Sequence, residues 1–322
     1  MNDLDHLEAE GIYIFREAFN RLDNIAMLWS LGKDSNVMLW LARKAFFGHV
    51  PFPVVHVDTE RKFPEMIEFR DIKAKEWGLN LITGFCPPVE EIDPTLPPAA
   101  RSAARKTVGL KWLNEKYQWT GIFAGIRRDE QAVRAKERFF SPRGETSQWD
   151  FRDQPPEVWG QFNTDFPPGT HLRIHPLLSW TEIDIWRYIE RENIPTISLY
   201  FSKNGKRYRS LGDQDITFPV DSEASTVAEI IEELTTTTVS ERAGRAMDHE
   251  HIMLSGQNPL QLVIVGHVDH GKSTFVGRLL YETGALPESK VQQIRAVSER
   301  RGQRMEWAFL LDAFQAERDQ GI

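Results

Sequence analysis

The feature that most constrains this chain is the apolar run Ile25-Ala26-Met27-Leu28-Trp29, the polar loop Ser30-Leu31-Gly32-Lys33-Asp34-Ser35, and the helical pattern Asn36 to Phe46 behind it. The order reads as strand, tight loop, helix. Such a loop aims backbone N–H groups and a helix N-terminus at one point, where an anion is stabilised. Ser30 and Ser35 add hydroxyl donors, Lys33 adds positive charge, and Gly32 lets the backbone come close to a ligand.

The pattern then repeats. Residues 52–59 form a β-branched, apolar run ending in Asp58-Thr59. Residues 64–77 have helical spacing, 79–83 read as a strand, and 87–98 are a proline-rich, acidic loop. Residues 101–117 are basic and helical, and Gly121–Ile126 is a further strand ending in Arg127-Arg128-Asp129-Glu130. Strands alternating with helices predict an α/β fold: a doubly wound, mostly parallel sheet with helices on both faces. Ligands of such sheets sit beyond the carboxyl ends of the strands. Ser30–Ser35, Asp58-Thr59 and Arg127–Asp129 all fall there, which predicts one active site. Flanking this region, 4–22 is an amphipathic helix and 141–170 an irregular excursion. Thr181 with Asp184 nearly makes a capping box, 202–210 is basic, and 226–234 is helical.

At 322 residues the chain has room for two domains. A net charge of -8 disfavours nucleic acid as the main partner. Cys86 is the only cysteine, which excludes a disulfide framework and a cysteine-rich metal centre within one chain. No apolar run approaches membrane-spanning length and the acidic N-terminus lacks a signal-peptide core, so the cytoplasm is expected. The polar stretch 240–259 places a boundary between domains 1–250 and 251–322. After it, strand 260–265 leads into Gly266-His267-Val268-Asp269-His270-Gly271-Lys272-Ser273-Thr274, the Gly-x-x-x-x-Gly-Lys-Ser phosphate loop. Backbone amides of Gly266, Asp269, Gly271 and Thr274 would cradle phosphates, Lys272 would reach the outer ones, and Ser273 would ligate Mg²⁺.

The second loop resembles that of translation-factor GTPases, and Ala316–Ile322 resembles the stretch before their switch threonine. The switch threonine, the Asp-x-x-Gly loop and the guanine-reading Asn-Lys-x-Asp do not follow. The expectation is therefore a truncated fragment that binds GTP weakly or not at all and does not hydrolyse it. The first loop, Ser-x-Gly-Lys-Asp-Ser, resembles the PP-loop of N-type ATP pyrophosphatases, which share an adenine nucleotide alpha hydrolase-like fold. With Pro51-Phe52-Pro53, His56-Val57-Asp58-Thr59, Ile126–Glu130, Arg134–Arg138, Trp180–Trp186 and Thr238–Arg245, residues 5–250 resemble the small, catalytic subunits of bacterial sulfate adenylyltransferases.

That resemblance implies ATP + sulfate → adenosine 5′-phosphosulfate + pyrophosphate, with ATP and Mg²⁺ bound and a GTPase large subunit driving the reaction. The chain would then be part of a homo- or hetero-oligomer. It implies that Ser30, Gly32, Lys33 and Ser35 hold the leaving pyrophosphate, Asp34 orients the loop or helps with Mg²⁺, and the stretch around His56–Asp58 meets adenosine. Arg127 and Arg128 become candidates for sulfate or the α-phosphate, because a guanidinium offers forked donors to tetrahedral oxyanions. Arg207 and Arg209 resemble another anion-facing segment. The chain departs from the family at Glu60-Arg61, at the basic segment 100–107, and at Asp213–Phe218, where the family carries a cysteine-containing segment. Two acids at 213 and 215 would repel an anion if they pointed inward. The alternatives are an inactive or regulatory nucleotide-binding remnant, or a PP-loop enzyme with another acceptor. The related phosphoadenylylsulfate reductases need a redox cysteine near the C-terminus, and Cys86 is in the wrong place.

Overall fold

The protein is described here by a computed structural model. It describes residues 3–130, 132–144, 157, 161–167, 169–242, 244 and five positions between 274 and 282. In chain order the elements are α1 (Asp3–Arg21), β1 (Ile25–Leu28), α2 (Lys33–Ala45), β2 (Val54–Asp58), α3 (Pro64–Glu76), β3 (Leu81–Phe85), α4 (Pro98–Tyr117), β4 (Gly121–Phe123), β5 (Phe140–Arg143), β6 (His171–Ile174), α5 (Glu182–Glu192), β7 (Lys206–Arg207), β8 (Val220–Asp221) and α6 (Val227–Thr236). The chain divides into two units, Met1–Gln257 and Asn258–Ile322. In the second unit, Thr274, Phe275, Arg278, Leu279 and Glu282 are helical. Gly266, Asp269, Gly271, Lys272 and Ser273 lie outside the described residues, and of Thr274 only its helical, half-buried state is known.

The main sheet has the order β3-β2-β1-β4-β6-β5. All its pairs are parallel except β5 with β6, which is antiparallel at the edge. The chain runs outward from β1 to β2 and β3, then returns to β4 on the other side of β1. The strand order therefore reverses between β1 and β4, where an open α/β sheet leaves its ligand crevice. The loops after both strands, 29–32 and 124–126, open there.

Strand alternation divides the core. Ile25 and Met27 join the larger cluster with Ile14 and Phe15 of α1, Val37 and Leu41 of α2, Met66 of α3 and Ile185 of α5. Ala26 faces the other way, into a smaller cluster with Val55, Leu113, Trp119 and Ile122 under α4. Helices thus cover both faces, but unequally. Packing under α4 is close enough to demand glycine at 84. A Cβ there would lie 2.4 Å from Leu113 Cδ1.

Local signals explain the element ends. Thr181 and Asp184 complete a capping box at α5, and Thr226 and Glu229 do so at α6. α4 begins three residues earlier than its periodicity predicts, because Pro97-Pro98 suits a helix start. The excursion 141–170 contributes an element that its composition hides. Phe140–Arg143 adds an edge strand, with Pro142 tolerated there because an edge needs fewer ladder bonds. The basic stretch at 202–210 enters the short β7–β8 hairpin.

Candidate active site

The loop after β1 is built to stay open. Leu31 has φ 68°, a left-handed conformation that costs a non-glycine residue about 1–3 kcal/mol. It is held by complete burial of its side chain in the core. Trp29 Nε1–H donates to Asn36 Oδ1 at 2.7 Å, tying the strand end to the second turn of α2. Gly32 is the N-cap of α2 and offers no side chain to its first turn. An anion can serve as the missing cap. Ser30 Oγ–H donates to Ser35 Oγ at 3.1 Å, and Ser35 Oγ–H to the Gly32 carbonyl at 2.9 Å. Lys33 N–H donates to Tyr200 Oη at 2.8 Å.

These groups line a cavity of about 340 Å³ whose wall also includes Asp34, His56, Lys62, Lys106, Gly125, Glu130, Arg134, Tyr200 and Glu241. Of the residues expected from the sequence, Ser30, Gly32, Lys33, Asp34, Ser35 and His56 converge on it. Lys33 is buried and its ammonium contacts Glu241 and, at 3.3 Å, Asp34 Oδ2. Burial opposes its charge, but the Asp34 and Glu241 carboxylates outweigh that, and its pKa lies above the ordinary lysine value. Burial likewise pushes Asp34 up, yet Lys33 and Arg127 prevail and hold it down at about 2.

His56 sits at the end of β2 with Nδ1 3.0 Å from the Trp29 carbonyl. Burial lowers its pKa to about 4, so the ring is neutral near pH 7. The carbonyl can only accept, so Nδ1 carries the proton. Nε2 is then a bare acceptor, buried without a hydrogen-bond partner, on a ring that lines the cavity. Burial raises the Tyr200 pKa to about 12, which keeps its hydroxyl protonated beside the loop.

Five expected residues do not line the cavity. Arg127 is fully buried beside it, its guanidinium divided among Asp34, Asp129 and Glu241 as their shared counter-ion. Arg128 turns away, donating to the Glu137 carbonyl and lying over the Phe139 ring at 5.4 Å. Asp58 accepts from the Glu60 amide at 2.8 Å and pairs with Arg70 at 3.3 Å. Arg207 pairs with Glu233 at 2.6 Å on the small hairpin. Arg209 grips Glu182 with two nitrogens and the Val239 carbonyl at 2.7 Å with a third. Each of these arginines is held by a carboxylate or carbonyl of the fold, from Glu137 nine residues after Arg128 to Glu241 at 114 residues from Arg127.

Asp34 also does not fit as a Mg²⁺ ligand. Both its oxygens rest on cations, and no three metal-ligating side chains come together among the described residues. Ser273, the other expected ligand, lies outside those residues. Sequence reasoning passed over Tyr200, Lys62 and Glu241 as site residues. Glu241 did stand in a segment that carried the family resemblance, whereas Tyr200 left no local signal.

Comparison with known proteins identifies the class. Residues 24–219 match the phosphoadenosine phosphosulfate reductase domain, and residues 257–322 match the elongation factor Tu GTP binding domain. Sulfate adenylyltransferase subunit 2 of Pseudomonas paraeruginosa is 43% identical over 287 residues, covering 78% of this chain and 94% of that protein. The subunit of the same name from Aliivibrio fischeri is 41% identical, with the same coverage. Among solved structures, a phosphoadenylyl-sulfate reductase from Candida auris aligns with a TM-score of 0.45 and 16% identity, over 67% of this chain and 97% of that one. No helix among the described residues is long and apolar enough to cross a membrane. With the sheet order, the loop after β1 and the identity over nearly the whole length of these relatives, the chain belongs to the sulfate adenylyltransferase subunit 2 family.

Proposed function

We propose that the first unit transfers the adenylyl group of ATP to sulfate, giving adenosine 5′-phosphosulfate and pyrophosphate. The observation that carries this reading is the convergence of Ser30, Gly32, Lys33 and Ser35 on one cavity with the neutral His56. The leaving pyrophosphate would take the uncapped end of α2 and the Lys33 ammonium. The adenosine would lie toward His56, whose bare Nε2 accepts from an amino or hydroxyl group.

A sulfate oxygen attacks the α-phosphorus, the bond from that phosphorus to the bridging oxygen breaks, and the electron pair leaves on pyrophosphate. Sulfate needs no deprotonation at neutral pH, so the chain's work is to align the two anions and offset their charge. The Ser30 and Ser35 hydroxyls turn from each other and from the Gly32 carbonyl to donate to the phosphates, Lys33 faces the charge developing on the leaving group, and Arg127 holds Asp34 and Glu241 in place. Lys33 and Arg127 already occupy the Asp34 carboxylate, so a divalent ion would come with the nucleotide.

A GTPase partner is the expected source of driving force, since the relatives are named as subunits and residues 257–322 match part of a GTP-binding domain. We place the catalytic domain at 1–250 and the GTPase-like segment at 251–322, with Gly266, Asp269, Gly271, Lys272, Ser273 and Thr274 as that segment's phosphate contacts. The chain is expected to act in the cytoplasm, as part of a hetero-oligomer. The test is pyrophosphate release from ATP, with and without sulfate and with and without a separate GTPase subunit and GTP. Release that requires sulfate supports the reading. Release indifferent to sulfate points to another acceptor, and no release under any condition points to a non-catalytic nucleotide-binding protein.

A further inference from the structure

The charge in the cavity is unevenly distributed. On the loop side, Lys33 and Arg127 face three carboxylates, those of Asp34, Asp129 and Glu241. The side formed by the segment after β2 and by α4 is different. There Asp213 is completely buried and saturated with donors. Its oxygens receive the Thr59 hydroxyl at 2.7 Å, the Ser102 hydroxyl, Lys62 Nζ at 2.7 Å and Lys106 Nζ at 2.9 Å. Arg105, also buried, donates to the carbonyls of Pro87 at 2.8 Å and Thr59 at 3.2 Å, which carry no charge. Nearby, Arg70 pairs with both Asp58 and Asp71, and Arg61 pairs with Asp215. Among the described residues, Lys62, Lys106 and Arg105 thus gather around the buried carboxylate of Asp213, and Lys62 and Lys106 both line the cavity.

We propose that Lys62 and Lys106 form the acceptor subsite, which holds the attacking tetrahedral dianion, sulfate, with Asp213 as the buried brace that fixes both ammonium groups. The proposal rests on the adenylyl-transfer reading and deepens it. Asp213 does not repel the anion, because its oxygens are already covered by four donors. Instead it pins two flexible lysines to one point before the ligand arrives, which reduces the ordering cost of binding. An ammonium has three N–H donors, and Lys62 uses one of them on Asp213. A sulfate dianion, which only accepts, suits two ammonium groups held at one point, while the loop side is left for the phosphates of ATP.

The test uses the full chain saturated with α,β-methylene ATP, which cannot release pyrophosphate, and inorganic sulfate as the probe. Sulfate should slow amine-reactive labelling of Lys62 and Lys106, read by mass spectrometry, and leave exposed lysines such as Lys111 unchanged. Lys62→Gln should weaken sulfate binding about tenfold, the loss of one charge-assisted contact, with analogue affinity held within about twofold. Lys62→Gln with Asp213→Asn removes the ammonium without leaving a buried carboxylate short of a partner, and should lose at least as much, because Lys106 also loses its brace. Lys62→Arg should restore most of the binding.

Sulfate affinity unchanged in both neutral variants would overturn the proposal. So would equal losses for sulfate and analogue, which would assign these lysines to the nucleotide phosphates. Sulfate held at these lysines without sulfate-dependent pyrophosphate release would leave the subsite standing and overturn the reaction assigned to it.

Discussion

Lys33 and Glu241 show what the loop can and cannot do alone. The lysine needed for an incoming phosphate is already paired with a carboxylate from 208 residues further along the chain. An anion entering between Lys33 and Arg127 must displace that carboxylate or share its cations with it. Glu241→Gln is therefore expected to strengthen pyrophosphate binding by about tenfold, measured by calorimetry, since it removes a competing charge from the seat. Weaker binding in that variant would show that Glu241 supports the ligand.

The same residues show how far single side chains can be read from sequence. The placement of Ser30, Gly32, Lys33 and Ser35 on one cavity was legible because a motif fixes their relation to one strand and one helix. The partners of Arg127, Arg128, Arg207 and Arg209 were not. An arginine in a sequence declares its charge, while its counter-ion is fixed only by the fold. Arg207 finds Glu233, and Arg209 finds Glu182. Asp213 illustrates the converse, since an acid expected to repel an anion arrives neutralised by two lysines from separate segments.

At the level of elements, regular patterns were readable and short irregular pieces were not. The parallel strands, the helices and the α5 capping box follow from β-branched runs, 3.6-residue spacing and Thr181 with Asp184. β5 and the β7–β8 hairpin have too few residues to show alternation, and only their pairing partners make them strands. The close contact of β3 with α4 has an energetic consequence. Gly84→Ala would press a methyl into the Leu113 side chain and is expected to destabilise the fold by about 1–3 kcal/mol, read from urea denaturation. A companion Leu113→Ala change should relieve part of that loss, and strict additivity of the two would contradict the contact.

Over the molecule as a whole, buried histidines set the response to acid. His56 and His171 are held at about 4 and His175 at about 3, chiefly by burial. A histidine whose folded pKa lies below its unfolded value near 6.5 is neutral in the native state and takes up a proton on unfolding. Stability from these three is thus fully present above about pH 6.5 and is lost as pH falls toward 4, by up to about 1.4 kcal/mol per pH unit for each. Asp34 adds a loss only at lower pH, between its ordinary range and about 2. Thermal unfolding followed from pH 7.5 to 5 should show a Tm that is level to about pH 6.5 and falls below it. A flat profile over that range would mean that the histidines are not sealed from water. The whole-chain plan, a parallel α/β domain ahead of a GTPase-like segment, was legible from two strand–loop–helix units and their distinct loops.

The central claim is that the loop after β1 performs adenylyl transfer to sulfate, and product analysis tests it most directly. The chain is mixed with ATP, sulfate, an intact GTPase subunit and GTP, and the nucleotides are resolved by mass spectrometry. The account predicts adenosine 5′-phosphosulfate in equal amount to pyrophosphate, with the rate falling at least about a hundredfold in Lys33→Ala. Undiminished product from the Lys33→Ala chain, or pyrophosphate formed without any sulfated nucleotide, would contradict it.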